Sequence, residues 1–82
     1  MLKLVNIKMN ERFIEADYIP EDSSEKAHVR LSVSSDEDSF DVVDGFSRQY
    51  GRMAVVGLQR TLDELASGVR TELPNERTVM WY

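Results

Sequence analysis

The apolar residues change from alternate to helical spacing at Asp44-Gly45, and that change sets the fold class. Before it they recur at every second position. After it they recur at helical spacing. The clearest example of the first pattern is AHVRLSV, where Ala27, Val29, Leu31 and Val33 alternate with His28, Arg30 and Ser32. A period of two places one set on a buried face and the other on an exposed face of a strand. FIEADYIP repeats the pattern, with Ile14, Ala16 and Tyr18 opposed to Glu15 and Asp17, and Pro20 ends it because proline has no N–H for a ladder. LVNIKM reads the same way, with Val5, Ile7 and Met9 alternating with Asn6 and Lys8. The intervening NER is a tight turn. Residues 21–26 are a polar loop and residues 34–38 a turn, and residues 39–43 read as a short fourth strand through Phe40 and Val42.

Beyond Gly45, Phe46, Tyr50, Ala54, Gly57, Leu58, Thr61, Leu62, Leu65 and Val69 fall in one sector at about 100° per residue, while Arg48, Arg52, Gln59, Asp63 and Ser67 fall opposite. This is an amphipathic helix from about Ser47 to Ser67. Asp44 or Ser47 is placed to cap its start, and Gly68 suits the left-handed residue beyond its end. Gly57 lies inside the apolar sector at a cost of roughly 1 kcal/mol in helix propensity, so its place implies close approach of the helix backbone to the sheet. Val56 is a misfit on the outer face. Pro74-Asn75 then turns the chain into RTVMWY, a last strand with Val79 and Trp81 on one side and Thr78, Met80 and Tyr82 on the other. If Trp81 packs under the helix, its truncation to Ala costs about 3–5 kcal/mol. The order is β-β-β-(β)-α-β: one α+β domain, residues 1–82, with an antiparallel meander of four to five strands and one helix covering one face.

Composition excludes several classes. The chain has no cysteine, so it has no disulfide and no thiolate. Its short apolar start is interrupted by Lys3, Asn6 and Lys8 and lacks the core of a signal peptide, and no stretch approaches the ~20 apolar residues of a membrane span. A cytoplasmic protein is the expectation. The net charge is −5, with eleven acids against three bases in residues 11–44 and four acids against five arginines in residues 45–82. A phosphate backbone is repelled by such a surface, which argues against nucleic acid as a partner. An acidic mimic of DNA is a minor alternative at this moderate charge.

The ending LPNERTVMWY, behind a helix that begins near SRQYGRM, resembles a set of small uncharacterised bacterial proteins that close on a similar Thr-Val-Met-Trp-Tyr tail after a Leu-Pro turn. The resemblance covers the last ten residues well, and the helix and leading hairpin loosely. It implies a small bacterial cytoplasmic domain, with no assigned activity and no site residues.

Few residue constellations point to chemistry. His28 is the only histidine, and Glu15 or Asp17 on a neighbouring strand is placed to orient it. A solvated surface histidine accounts for it more simply. No Ser-His-Asp spacing, Gly-rich phosphate loop or HExxH helix is present. Asp36, Asp38, Asp41 and Asp44 gather oxygens in a short segment, but the calcium-loop pattern counted from Asp36 meets Phe40 and Asp41 at its fifth and sixth positions and Ser47 at its twelfth, so it fails. No metal or other cofactor is expected. Arg48 and Arg52 sit one turn apart near the helix N-terminus, where positive charge is unfavourable. Either they pair with the acids of residues 36–44, which is the favoured reading, or they form a small anion site with the free backbone N–H groups. On the sheet face away from the helix, Phe13, Ile19, Met80 and Tyr82 stand among Lys8, Glu15, Asp17, His28 and Arg30 and suggest a protein interface. The leading functional expectation is a non-catalytic protein-interaction domain that homodimerises through these four residues. The alternative is a small-ligand or anion-binding domain using Arg48 and Arg52, with an enzyme third.

Overall fold

In the computed structural model, which describes residues 1–35 and 37–80, the alternating segments form strands β1 (Leu2–Met9), β2 (Phe13–Pro20), β3 (Ala27–Ser32) and β4 (Asp38–Phe40). Helix α1 (Arg48–Ser67) and strand β5 (Arg77–Val79) follow. The sheet order is β4-β3-β2-β1-β5, antiparallel throughout. The α+β class and the element order agree with the sequence reading. The first four strands form a meander, and the chain returns through the helix to pair its last strand with its first. The register Ile14↔Leu31 and Ala16↔Val29 sets the apolar positions of β2 and β3 side by side, on the face that α1 covers. Leu4, Ile14, Tyr18, Val29, Ala54 and Leu58 have no exposed surface.

Tight turns hold the meander. Asn10 Oδ1 accepts from the backbone N–H groups of Arg12 (2.8 Å) and Phe13 (2.9 Å), so the side chain stands in for a backbone turn. At the helix start Ser47 is the capping residue, in extended conformation (φ −75°, ψ 162°), but its side chain makes no capping bond; its carbonyl accepts from Tyr50 N–H at 3.2 Å. Gly68 ends the helix in the left-handed region (φ 82°), as its position required.

Three expectations need correction. The first is the phase of β1. Leu2, Leu4 and Ile7 are buried, whereas Met9 is exposed. The register shifts between Val5 and Lys8, so Asn6 and Ile7 together oppose Ala16. This is a bulge, and Asn6 enters it with φ 54°, a left-handed conformation asparagine tolerates. One extra residue moves the apolar set from even to odd positions. The second is β4, which stops at Phe40. The Tyr18 hydroxyl donates to the Asp41 carbonyl, and the chain bends off the sheet to bury Val43. The third is β5, which ends at Val79. Val79 is buried as expected, while the core position assigned to Trp81 lies outside the described residues.

Gly57 has the role its position implied. A Cβ there would come within 2.5 Å of Val79 Cγ2 and 3.0 Å of Leu4 Cδ1. Gly51, earlier on the same helix, does the same for β4: a Cβ there would overlap the Phe40 ring.

Candidate functional site

The exposed face of the sheet is a charge lattice. The register sets Glu15 between Lys8 and Arg30, and Asp17 between Val5 and His28. Glu15 Oε2 lies 3.6 Å from His28 Nε2 and 3.7 Å from Arg30 Nε. Asp17 lies 3.7 Å from His28 Nδ1 and 3.5 Å from Lys26 Nζ, and accepts from Asn6 Nδ2 at 3.3 Å. A shallow pocket of about 220 Å³ opens among Asn6, Lys8, Glu15, Ala16, Asp17 and His28. Each ring nitrogen of His28 faces a carboxylate at a distance beyond a hydrogen bond. A general base needs one nitrogen held by an orienter and the other aimed at substrate. His28 has neither arrangement. What the lattice does is cancel charge across strands.

Of the four residues expected to form an apolar cluster on this face, Phe13 and Ile19 lie at opposite ends of β2. Phe13 and Ile19 both point outward from β2, but they are six residues apart, roughly 20 Å at strand spacing. Phe13 lies under the Arg30 guanidinium, whose carbon is 4.5 Å from the ring centroid. Ile19 stands opposite Lys3 at the other end of the strand. Met80 follows β5 and is 49% exposed, and Tyr82 lies outside the described residues.

Arg48 and Arg52 emerge from the first turns of α1. Among the described residues neither makes an ion pair, so the favoured pairing with residues 37–44 is not formed; Asp36 lies outside the described residues. Arg48 instead sits over the Phe40 ring, 4.9 Å from its centroid. This cation–π contact accounts for a cation at a helix N-terminus. Its charge also reaches Tyr18, whose hydroxyl burial and the nearby Asp41 push above the usual phenol range and which Arg48 draws partly back.

A second polar cluster was not visible from sequence. Arg77 of β5 reaches across to α1, donating to both carboxylate oxygens of Glu64 and to Thr61 Oγ1 at 3.1 Å. Arg70 Nε donates to the same carboxylate at 2.9 Å. The two guanidiniums hold the Glu64 carboxyl below its ordinary range, Arg77 the more strongly. Thr61 completes the network by donating to the Gly57 carbonyl at 2.9 Å. These bonds all run within the domain, so the cluster fastens β5 to α1.

The apolar surface lies elsewhere. Between the last turns of α1 and the ends of β1 and β3 runs a groove of about 420 Å³, lined by Met9, Val33, Leu62, Leu65 and Ala66 with Gln59 and Asp63 on its helix lip. Met9 is 44% and Val33 41% exposed. Sequence reading gave both residues the core-facing side, and they do face the helix layer. Val33, however, lies just past the end of β3, and the layers leave a gap there. No helix of the described residues is long and apolar enough to cross a membrane. Also among the described residues, no group of three His, Asp or Glu side chains is placed to hold a metal ion. Comparison of the chain with protein-family models, with curated proteins and with solved structures finds no match.

Proposed function

We propose that this chain is a non-catalytic protein-interaction domain that associates with a second copy of itself, and that the groove of Met9, Val33, Leu62, Leu65 and Ala66 is the surface it uses. One observation carries the reading. These five side chains line one groove, with Met9, Val33 and Ala66 exposed and Leu62 and Leu65 half-buried, whereas Phe13 and Ile19 are separated along β2 and set among charges. Contiguous apolar surface is what distinguishes the centre of an interface from scattered exposed residues. Methionine suits such a place because its unbranched thioether chain repacks against different partners. Two-fold pairing is the commonest assembly of soluble chains.

The test is solution mass by light scattering over a hundredfold concentration range, for the wild type and for Val33→Glu. The wild type should rise from 9.4 kDa toward twice that mass. Val33→Glu should stay at the single-chain mass with an unchanged far-UV spectrum, because residue 33 lies outside β3 and is largely exposed. A wild type that remains a single chain throughout overturns the reading, and so does a Val33→Glu variant that associates as the wild type does.

A further inference from the structure

Resting on that reading, we infer that the two copies meet groove to groove about a two-fold axis, with Arg12 of each copy paired to Asp63 of the other. The two lips of the groove differ in charge. Asp63 stands on the helix lip, where its carboxylate accepts from Gln59 Nε2 at 3.0 Å and makes no ion pair among the described residues. Arg12 stands beside the sheet lip: its backbone carbonyl accepts from Val33 N–H at 2.9 Å, and its guanidinium makes no ion pair among the described residues. Of the neighbouring charges, Glu15, Arg30, Glu64, Arg70 and Arg77 are engaged within the chain. A two-fold axis running along the groove turns each helix lip onto the other copy's sheet lip, so one operation satisfies both charges twice.

The shape agrees with this assignment. The groove contains both a gap and the side chains to fill one, since Met9 and Val33 project from its sheet side. A two-fold contact needs both on one surface, since each copy supplies what the other receives. The chain's net charge of −5 opposes association at long range, but near 0.15 M salt the screening length is about 8 Å and the local pairs decide the encounter.

The experiment is a charge exchange read by sedimentation equilibrium at about 0.15 M salt. Arg12→Glu sets a carboxylate against Asp63 at both contacts, and Asp63→Arg sets a second guanidinium against Arg12 at both. Each variant alone should associate about tenfold more weakly than the wild type, the sum of two exposed pairs turned repulsive. An equimolar mixture of the two should recover wild-type association, because each mixed dimer then holds one native pair and one exchanged pair. The recovered species should stop at two chains; longer chains of copies would mean a head-to-tail contact and overturn the two-fold assignment. Variants that associate like the wild type, in a protein whose Val33→Glu form does not associate, overturn the Arg12–Asp63 pairing and leave the groove reading standing. A wild type that never associates overturns both.

Discussion

The sheet has two edge strands of three residues each, and they are fastened to the helix by the same device to different depths. On one edge, Phe40 of β4 fills the notch left by Gly51; on the other, Val79 of β5 fills the notch left by Gly57. Beyond the notch the edges diverge. Val79 is 2% exposed and sits against Leu4 at the centre of the core, and Arg77 of the same strand is tied to Glu64 and Thr61. Phe40 is only half-buried, its free face is covered by Arg48, and the acids Glu37, Asp38 and Asp41 around it make no ion pair among the described residues. The closing strand is thus part of the global fold, and β4 is a flap over one end of it. The difference also bears on association: short strands and charges protect sheet edges against pairing with other chains. Acids along β4 make pairing of two such edges repulsive.

Gly57→Ala is the strongest way to break this contrast. The new Cβ meets Val79 Cγ2 at 2.5 Å, where a branched, buried side chain has little room to yield. Overpacking of this kind costs about 1–3 kcal/mol, against roughly 1 kcal/mol returned by helix propensity. A net loss of up to about 2 kcal/mol lowers the melting temperature by up to roughly 15 °C in a domain of this size. Val79→Ala in the same chain should recover part of that loss, because it removes the methyl that the new Cβ strikes. Gly51→Ala should behave differently. Its Cβ meets an aromatic ring on an edge that is already half-exposed, and the ring can swing outward. The global melting temperature should then change by less than about 5 °C, as propensity gain and lost contact offset each other. Amide exchange would show the change instead, with protection lost at Asp38–Phe40 and retained at Arg77–Val79. Equal falls in melting temperature for the two substitutions would show that both edges belong to one cooperative unit.

How far such features can be read from sequence differs residue by residue. β2 and β3 were legible because their burial alternates without interruption, and α1 because its apolar sector, Ser47 and Gly68 agree on its limits. Gly57 was legible because a glycine in a buried helical sector demands a close neighbour. Gly51 obeys the same logic, but its neighbour Phe40 lies in a strand of three residues, too short for alternation to show which side packs on the helix. Asn6 was not legible, since a bulge adds one residue without altering the alternation on either side of it. The Glu64–Arg77 clamp joins residues thirteen apart whose meeting depends on β5 lying beside the helix. The groove was hidden for a related reason. Periodicity says toward which layer Met9 and Val33 point, and not whether the opposing layer closes over them. Likewise, the sharing of one sheet face by Phe13 and Ile19 said nothing of the distance between them along it.

The smallest expected effect sharpens the comparison through pH. Glu64 titrates below its ordinary range because it accepts from Arg77 first and Arg70 second. A carboxyl whose folded pKa is depressed contributes stability above its unfolded value, near 4.3, and loses it as pH falls through the folded value. Glu64→Gln removes that contribution and keeps a side chain of the same shape. At pH 7 the variant should therefore melt below the wild type, and the gap should close as pH falls below about 4. Glu21 is also depressed, by the amino group of Met1 and by Tyr50, but both proteins carry it, so it cancels in the difference. Raising salt at pH 7 should narrow the gap as well, since exposed pairs are screened. The exchange pattern carries the decision: Glu64→Gln should loosen Arg77–Val79 and leave Asp38–Phe40 as in the wild type. A gap that persists unchanged at low pH would mean that the glutamine fails through packing, and that β5 is held by its glycine notch alone.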